Sequence, residues 1–198
     1  MVATDRSARR RGKELEDAIF EATLDQLTSG GFARLTMEGI AAAARTGKAA
    51  LYRRWGSKVE LVIDSLDATL PRPRTVPDLG STRAELLQVI ELFVDATASR
   101  VGASIHTLMG EASQQQAEVF KEFLMGRVME PTKDTILDIL RRGVERGEVR
   151  PGAVSPLVAD VVPAMLFYQV KTCGPAPMPA AYAERVVDEV LMPMVRAS

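Results

Sequence analysis

Apolar side chains recur along this chain at the spacing of α-helices, and no segment of useful length alternates apolar and polar residues as a strand does. A first helix is predicted to begin at Lys13 and to stop at Gly30-Gly31, because paired glycines interrupt helices. Its apolar stripe comprises Leu15, Ala18, Ile19, Ala22 and Leu27. The pattern as a whole predicts an all-α protein of about nine helices.

Start and stop signals divide the rest of the chain. Thr36 is a predicted N-cap, and Gly56 is predicted to end a short segment that runs through Trp55. Ser57 with Glu60, and Thr82 with Glu85, have the spacing of a capping box. Further helices are predicted over 104–115, over 117–143 (two helices, or one kinked at Pro131), from Ser155-Pro156 to Cys173, and over 181–192.

Residues 71–80 contain three prolines and no periodicity, so they are predicted to connect two subdomains. The net charge of −1 divides unevenly around that region. Residues 1–58 carry 11 Lys/Arg against 7 Asp/Glu, whereas residues 59–198 carry 14 against 19. A basic head on an acidic body favours contact between the head and a polyanion, with an accident of surface charge as the alternative.

Several classes of protein are disfavoured by what the chain lacks. Cys173 is the only cysteine, which excludes an intrachain disulfide, disfavours a Cys-based metal site and fits a reducing, cytoplasmic setting. The longest strongly apolar stretch, 161–170, is about half of the roughly 20 residues that a bilayer span needs. We therefore expect a soluble protein without a metal, a cofactor or a membrane partner.

The segment TMEGIAAAARTGKAALYRRWGSKVELV, residues 36–62, is typical of a helix-turn-helix, whose second helix enters the major groove of DNA. Five basic residues and no acid lie between Glu38 and Glu60, as phosphate binding favours. We expect Leu51 and Trp55 to anchor the short second helix. Lys48, Ala49, Tyr52 and Arg53 are then predicted to face outward. The alternative is a solvated basic helix edge with an aromatic anchor.

This segment resembles the tetracycline-repressor family of regulators, whose recognition region typically reads AGVSKGTLYRRWPSKAELV. The detailed resemblance covers about residues 13–66, and beyond it only helix number and order agree. It implies a basic flexible arm at 1–12, a DNA-binding domain at 13–70, a connecting loop at 71–80 and an effector-binding and dimerisation domain at 81–198. The matching residues are Lys48, Leu51, Tyr52, Arg53, Arg54, Trp55, Ser57, Lys58, Glu60 and Leu61.

The resemblance also implies roles for individual residues. Thr36 would hold a backbone phosphate at a helix N-terminus, and Tyr52 and Lys58 would each donate to a phosphate. Arg53 would reach a phosphate or a guanine, whereas Trp55 is expected in the core. The amino-terminal arginines would lie in the minor groove or form a solubilising tail. The positions that reach base edges or phosphates are Thr46, Gly47, Lys48, Ala49 and Tyr52.

One position departs from the family pattern. Arg45 stands in the turn where relatives usually have glycine. In a left-handed conformation arginine costs roughly 1 kcal/mol more than glycine. We expect either Gly47 to redistribute that strain or Arg45 to offset it through a phosphate contact.

Helical repressors of this kind bind near-palindromic double-stranded DNA as homodimers, because two recognition helices must enter successive major grooves. The last two helices are predicted to form the dimer interface through Val158, Val161, Val162, Met165, Val187, Val190, Leu191 and Met194, with internal core as the alternative. In the family a pocket holds a small effector. Its predicted lining, for an apolar or aromatic molecule, is Phe93, His106, Met109, Phe120, Phe123, Phe167, Tyr168 and Gln169, with plain core as the alternative.

The predicted function is therefore a ligand-released transcriptional repressor. A non-specific DNA-organising protein is a second hypothesis, although the acidic body disfavours it. A small all-α enzyme is a third, but it would depend on Cys173 with His106, and the chain has no HExxH, GxSxG or phosphate-binding glycine loop.

Overall fold

The computed structural model of the chain describes residues 12–71, 75–111, 113–174 and 179–197, so the predicted basic arm lies outside it except for Gly12. Within these ranges the regular secondary structure is helical, apart from one isolated antiparallel β-bridge between Val149 and Arg196. The predicted all-α class is confirmed. The helices are α1 Lys13–Arg34, α2 Met37–Ala43, α3 Lys48–Tyr52, α4 Lys58–Thr69, α5 Thr82–Ala98, α6 Arg100–Glu111, α7 Gln114–Leu124, α8 Glu130–Glu145, α9 Pro156–Cys173, α10 Ala180–Arg185 and α11 Met192–Val195.

Two pairs of these helices are continuous. A π-helical segment, Met125–Met129, joins α7 to α8, and another, Val186–Leu191, joins α10 to α11. The described residues therefore form nine continuous helices, as predicted. Pro131 has no N–H to donate, and the π-helical segment lies directly before it, at the start of α8. Two helices or one kinked helix were the predicted alternatives for residues 117–143. The structure shows one continuous helix with a π-helical segment inside it.

Several helix boundaries differ from the predictions. α6 begins at Arg100, not Ser104, because the Ser99 hydroxyl accepts the Gly102 N–H at 3.2 Å. α6 ends at Glu111, so the predicted end at 115 is wrong. A new helix begins after Ser113, whose N–H donates to the Gln116 side chain at 3.2 Å in half of a capping box. The last helix reaches Val195 rather than Met192.

The described residues form two compact units. The first, here called the head, comprises residues up to Thr69 together with Thr107–Ala117. Its core contains Leu24, Leu27, Ile40, Leu61 and Val62, all fully buried. α1 breaks at Gly31, whose φ is 77°, and the Glu111 carboxylate occupies the space that a Cβ would need there.

The second unit, here called the body, comprises Leu70–His106 and the chain from Glu118 onward. α5, α8, α9 and the last helix enclose its core, in which Ile90, Ile139, Val162 and Val187 are fully buried. α5 and α8 approach closely at Gly143, where a Cβ would collide with the Thr82 hydroxyl oxygen. A side chain at that position would therefore force the two helices apart.

The predicted capping box of Thr82 with Glu85 is wrong. Ser81 caps α5, and the Glu85 carboxylate is instead completely buried. It accepts hydrogen bonds from Arg142 at 2.7 Å and pairs with Arg146 at 3.1 Å. A buried carboxylate needs such partners, so Glu85 ties α5 to α8.

Candidate DNA interface

The head places a helix-turn-helix where the sequence predicts one. Thr36 caps α2, and its hydroxyl accepts the Gly39 N–H at 3.1 Å. Residues 44–47 form the turn, and α3 follows with Gly47 as its N-cap. α3 spans only five residues, too few to be stable alone, so its position depends on packing.

Two apolar anchors hold α3 on the head, as predicted. Leu51 is fully buried and Trp55 is 3% exposed. The Trp55 indole donates to Asp64 of α4 at 2.7 Å, and its ring meets Phe20 of α1 edge-on at 5.9 Å. These contacts place Trp55 in the core and fix one face of α3 against α1 and α4, leaving the opposite face outward.

The turn between α2 and α3 is a Schellman motif with arginine in the position that glycine usually occupies. The Thr46 N–H donates to Ala41 O at 2.9 Å, and the Arg45 N–H donates to Ala42 O at 3.1 Å. Arg45 has a φ of 55°, in the left-handed region. Gly47 has an ordinary φ of −85°, so the expectation that it takes up the strain is wrong.

We expect Arg45→Gly to raise the free energy of unfolding by roughly 1 kcal/mol, because glycine adopts this backbone conformation without a Cβ penalty. Thermal melting without DNA would show a rise of about 2–4 °C. Arg45→Ala is the matched control, since it removes the charge and keeps the Cβ. A clear fall in the melting temperature of Arg45→Gly would contradict the assignment of strain.

The outward face of α3 carries the predicted DNA-contacting groups. Lys48, Ala49 and Arg53 are exposed, and Tyr52 is 46% exposed. Arg45 is exposed in the preceding turn, and Thr46 beside it is half-buried. The side chains that could bind phosphates or base edges thus lie on one anchored helix and the turn before it.

Lys48 contacts two neighbouring side chains. Its ammonium forms an ion pair with Glu38 of α2 and lies 5.3 Å from the centre of the Tyr52 ring. The hydrogen bond between them lowers the pKa of Glu38 and raises the pKa of Lys48. The acid-free interval in the sequence begins just after Glu38, so sequence reasoning missed this acid beside the interface.

Lys58 is engaged inside the head. Its ammonium donates to Phe32 O at 2.9 Å and to Leu35 O at 3.1 Å, and it lies 4.4 Å from the centre of the Phe32 ring. These bonds use two of its three ammonium hydrogens. Lys58 therefore stabilises the turn after α1, and a phosphate contact from it stays a prediction.

The body contains a cavity of about 270 Å³, near the lower end of the ligand-pocket range of about 300–1,000 Å³. Of the predicted lining, Phe93 faces it, and the other predicted residues do not line it. Phe120 is buried elsewhere, whereas Phe167 and Tyr168 are 52% and 67% exposed. Their helical spacing gave no indication of which face of each helix turns inward.

Half of the predicted dimer residues are buried within the chain itself. Val158 is 7% exposed, and Val162, Val187 and Leu191 are at most 1% exposed, so their assignment to an interface is wrong. The other four remain accessible: Met194 is exposed, and Val161, Met165 and Val190 are half-buried. α9 is apolar on two faces, and the outer one also carries Leu157, Ala164, Phe167 and Tyr168.

Two further properties bear on function. Within the described part of the chain, no helix has both the length and the apolar character needed to cross a membrane. Among the same residues, no cluster of His, Cys, Asp and Glu side chains is arranged to hold a metal ion.

Both the head and the body match known protein families. The family described as "Bacterial regulatory proteins, tetR family" matches residues 19–64, and "Tetracyclin repressor-like, C-terminal domain" matches 76–190. HTH-type transcriptional regulator Rv1556 of Mycobacterium tuberculosis is 30% identical over 92% of this chain and 89% of its own length. DNA-binding transcriptional repressor TetR of Mycobacteroides abscessus is 28% identical over 94% and 96%. The crystal structure of NalD, the secondary repressor of a multidrug efflux pump in Pseudomonas aeruginosa, superposes with a TM-score of 0.68 at 15% identity, over 93% of this chain and 98% of NalD.

Proposed function

The chain belongs to the TetR family of transcriptional regulators, and from that premise we propose how it acts. Regulators of this family bind DNA operators, dimerise and bind small-molecule effectors. We propose that this chain, as a homodimer, represses transcription from a near-palindromic operator. A small, largely apolar molecule in the body cavity releases it.

The observation that carries this proposal is the anchored α3. A five-residue helix fixed by Leu51 and Trp55 presents Lys48, Tyr52 and Arg53 together, in a unit whose geometry suits the major groove. Thr36 and the N-terminus of α2 supply a second group of phosphate donors. Thr46, Gly47 and Ala49 complete the proposed contact surface.

Selection of random-sequence DNA on the full chain at near-physiological salt tests the proposal. We expect enrichment of a near-palindrome whose half-sites lie about one helical turn apart. Binding that depends on salt but enriches no sequence would favour the non-specific DNA-organising alternative. Absence of binding would remove the support for the proposed function.

Tyr52→Phe tests the assigned phosphate contact, because it removes one hydroxyl and keeps the ring against Lys48. We expect operator affinity to fall by roughly tenfold, the cost of a hydrogen bond to a charged group. The selected consensus should not change, because phosphate contacts carry no base information. A changed consensus would instead place the hydroxyl on a base edge.

Glu38→Gln is expected to tighten operator binding by roughly threefold to tenfold at low salt, because it removes an anion beside the phosphates. Lys48, released from its ion pair, would then displace about one more cation from DNA, making the salt dependence steeper by roughly 0.9. Fluorescence anisotropy over a salt series measures both effects. Glu21→Gln is the matched control, because it removes an exposed acid of α1 and gives the same change in net charge. Equal effects from the two variants would contradict a local role for Glu38.

For the dimer interface, we propose the outer face of α9 together with the exposed end of the last helix. Leu157, Val161, Ala164 and Tyr168 follow one another at helical spacing along that face. Contiguous apolar surface of this kind marks association sites in proteins. A second copy of the chain, packed about a two-fold axis, would cover the face with its own equivalent.

A further inference from the structure

The wall of the body cavity combines apolar side chains with one basic group. Val76, Val89, Leu92, Phe93 and Val128 supply apolar surface, and the guanidinium of Arg127 is the basic group. Arg127 belongs to the π-helical segment between α7 and α8 and is half-buried. Apolar surface with a few well-placed polar or charged groups is a common design for recognising an amphipathic ligand.

Arg127 also holds the chain segment that follows α4. Its Nη2 donates to Leu70 O at 3.3 Å, and its Nη1 lies 3.5 Å from Pro71 O. Both distances are long for N–H···O hydrogen bonds, and both acceptors are neutral carbonyl groups. Leu70 and Pro71 line the same cavity as Arg127, so the guanidinium and this segment meet at the cavity wall.

A carboxylate in the cavity would compete directly with these carbonyls. A guanidinium binds a carboxylate through two parallel hydrogen bonds, which are shorter and roughly twice as strong as bonds to neutral acceptors. The guanidinium has five N–H groups, and a carboxylate competes with the carbonyls for the Nη1 and Nη2 hydrogens that point at Pro71 and Leu70. An anion that takes those two hydrogens displaces both carbonyl contacts.

We propose that the cavity takes an organic monocarboxylate with an apolar body, and that Arg127 transfers its hydrogen bonds from Leu70 and Pro71 to the ligand carboxylate. This inference rests on the proposed function, of which it specifies the effector and the release step. Transfer frees the two residues that connect directly to α4, the last helix of the helix-turn-helix head. A neutral molecule of the same shape fills the cavity but leaves Arg127 on the carbonyls.

Asp95 is the opposing charge on the cavity wall. It is exposed, so water screens its repulsion of an anion, whereas the half-buried Arg127 is screened less. The pair therefore favours a ligand with one carboxylate over a dianion. Asp95→Asn should tighten binding of the monocarboxylate and leave binding of its neutral analogue unchanged, so the preference for the anion should rise.

The test compares naphthoate with naphthamide, which share an apolar body and differ in charge. Calorimetric titration of the full chain should show naphthoate binding about tenfold more tightly than naphthamide. Operator affinity, measured by fluorescence anisotropy, should fall with naphthoate and not with naphthamide. Arg127→Gln should bind the two compounds equally. Arg127→Lys keeps the charge but loses the two parallel donors, so its preference for naphthoate should lie between those of the unmodified chain and Arg127→Gln.

The outcomes separate this inference from the proposed function. Failure to bind an operator without any ligand would count against the proposed function alone. With operator binding intact, equal binding or equal release by the two compounds would overturn the inference, as would a naphthoate preference that survives in Arg127→Gln. Binding of neither compound would overturn it as well. Melting curves of both variants confirm that each is folded before it is titrated.

Discussion

Replacing Glu85 with alanine is expected to lower the free energy of unfolding by about 3 kcal/mol, because removing one member of a buried ion pair leaves its partners uncompensated. The Glu85 carboxylate is fully buried, and it pairs with Arg142 and Arg146 of α8. It also accepts the Leu79 N–H at 3.2 Å, so a backbone donor loses its partner too. Thermal melting should show a fall of roughly 6–12 °C.

An exposed ion pair on the same helix provides the control. Arg83 donates to Asp188 through two hydrogen bonds of 2.6 and 2.7 Å, but both side chains are almost half exposed. Asp188→Ala should therefore change the melting temperature little. The melting temperature of Glu85→Gln should lie between those of Glu85→Ala and Asp188→Ala, because the amide keeps an acceptor but loses the charge. Similar melting temperatures for all three variants would contradict a structural role for the buried carboxylate.

The sequence predicted the head far better than the body. In the head, Leu51 and Trp55 are the large apolar residues of a very short helix, so few arrangements could bury both. That constraint identified the outward face of α3 before its geometry was known. The left-handed conformation of Arg45 was likewise predictable, because a turn that normally holds glycine constrains any residue placed there.

In the body the same apolar pattern was ambiguous. α9 carries apolar residues on two faces, and composition does not distinguish the face that packs on its own core from the face left for a partner. The pattern therefore places Val158 and Val162 at an interface, although they are buried in the protomer. Apart from Phe93, the lining of the cavity is missed for a related reason: Arg127 and Leu70 are far apart in sequence, and only the tertiary fold brings them together.

Tyr168→Glu tests the proposed dimer face with the largest expected effect on function. Tyr168 is 67% exposed, so a carboxylate there costs the isolated protomer little. In a two-fold interface each substitution occurs twice, and two unpaired charges would be buried together. We expect dimer dissociation to increase by at least about a hundredfold, equivalent to roughly 3 kcal/mol.

Loss of the dimer should in turn weaken operator binding, because one recognition helix alone reaches only one half-site. Sedimentation velocity over a range of concentrations measures the dimer, and anisotropy measures operator affinity. Val119→Glu is the matched control, since it introduces the same charge at an exposed apolar site on α7. If Tyr168→Glu stayed dimeric and kept full operator affinity, the interface would have to lie on another face. If it dissociated and still bound a single half-site weakly, the loss of affinity would come from the missing second recognition helix, with α3 itself unchanged.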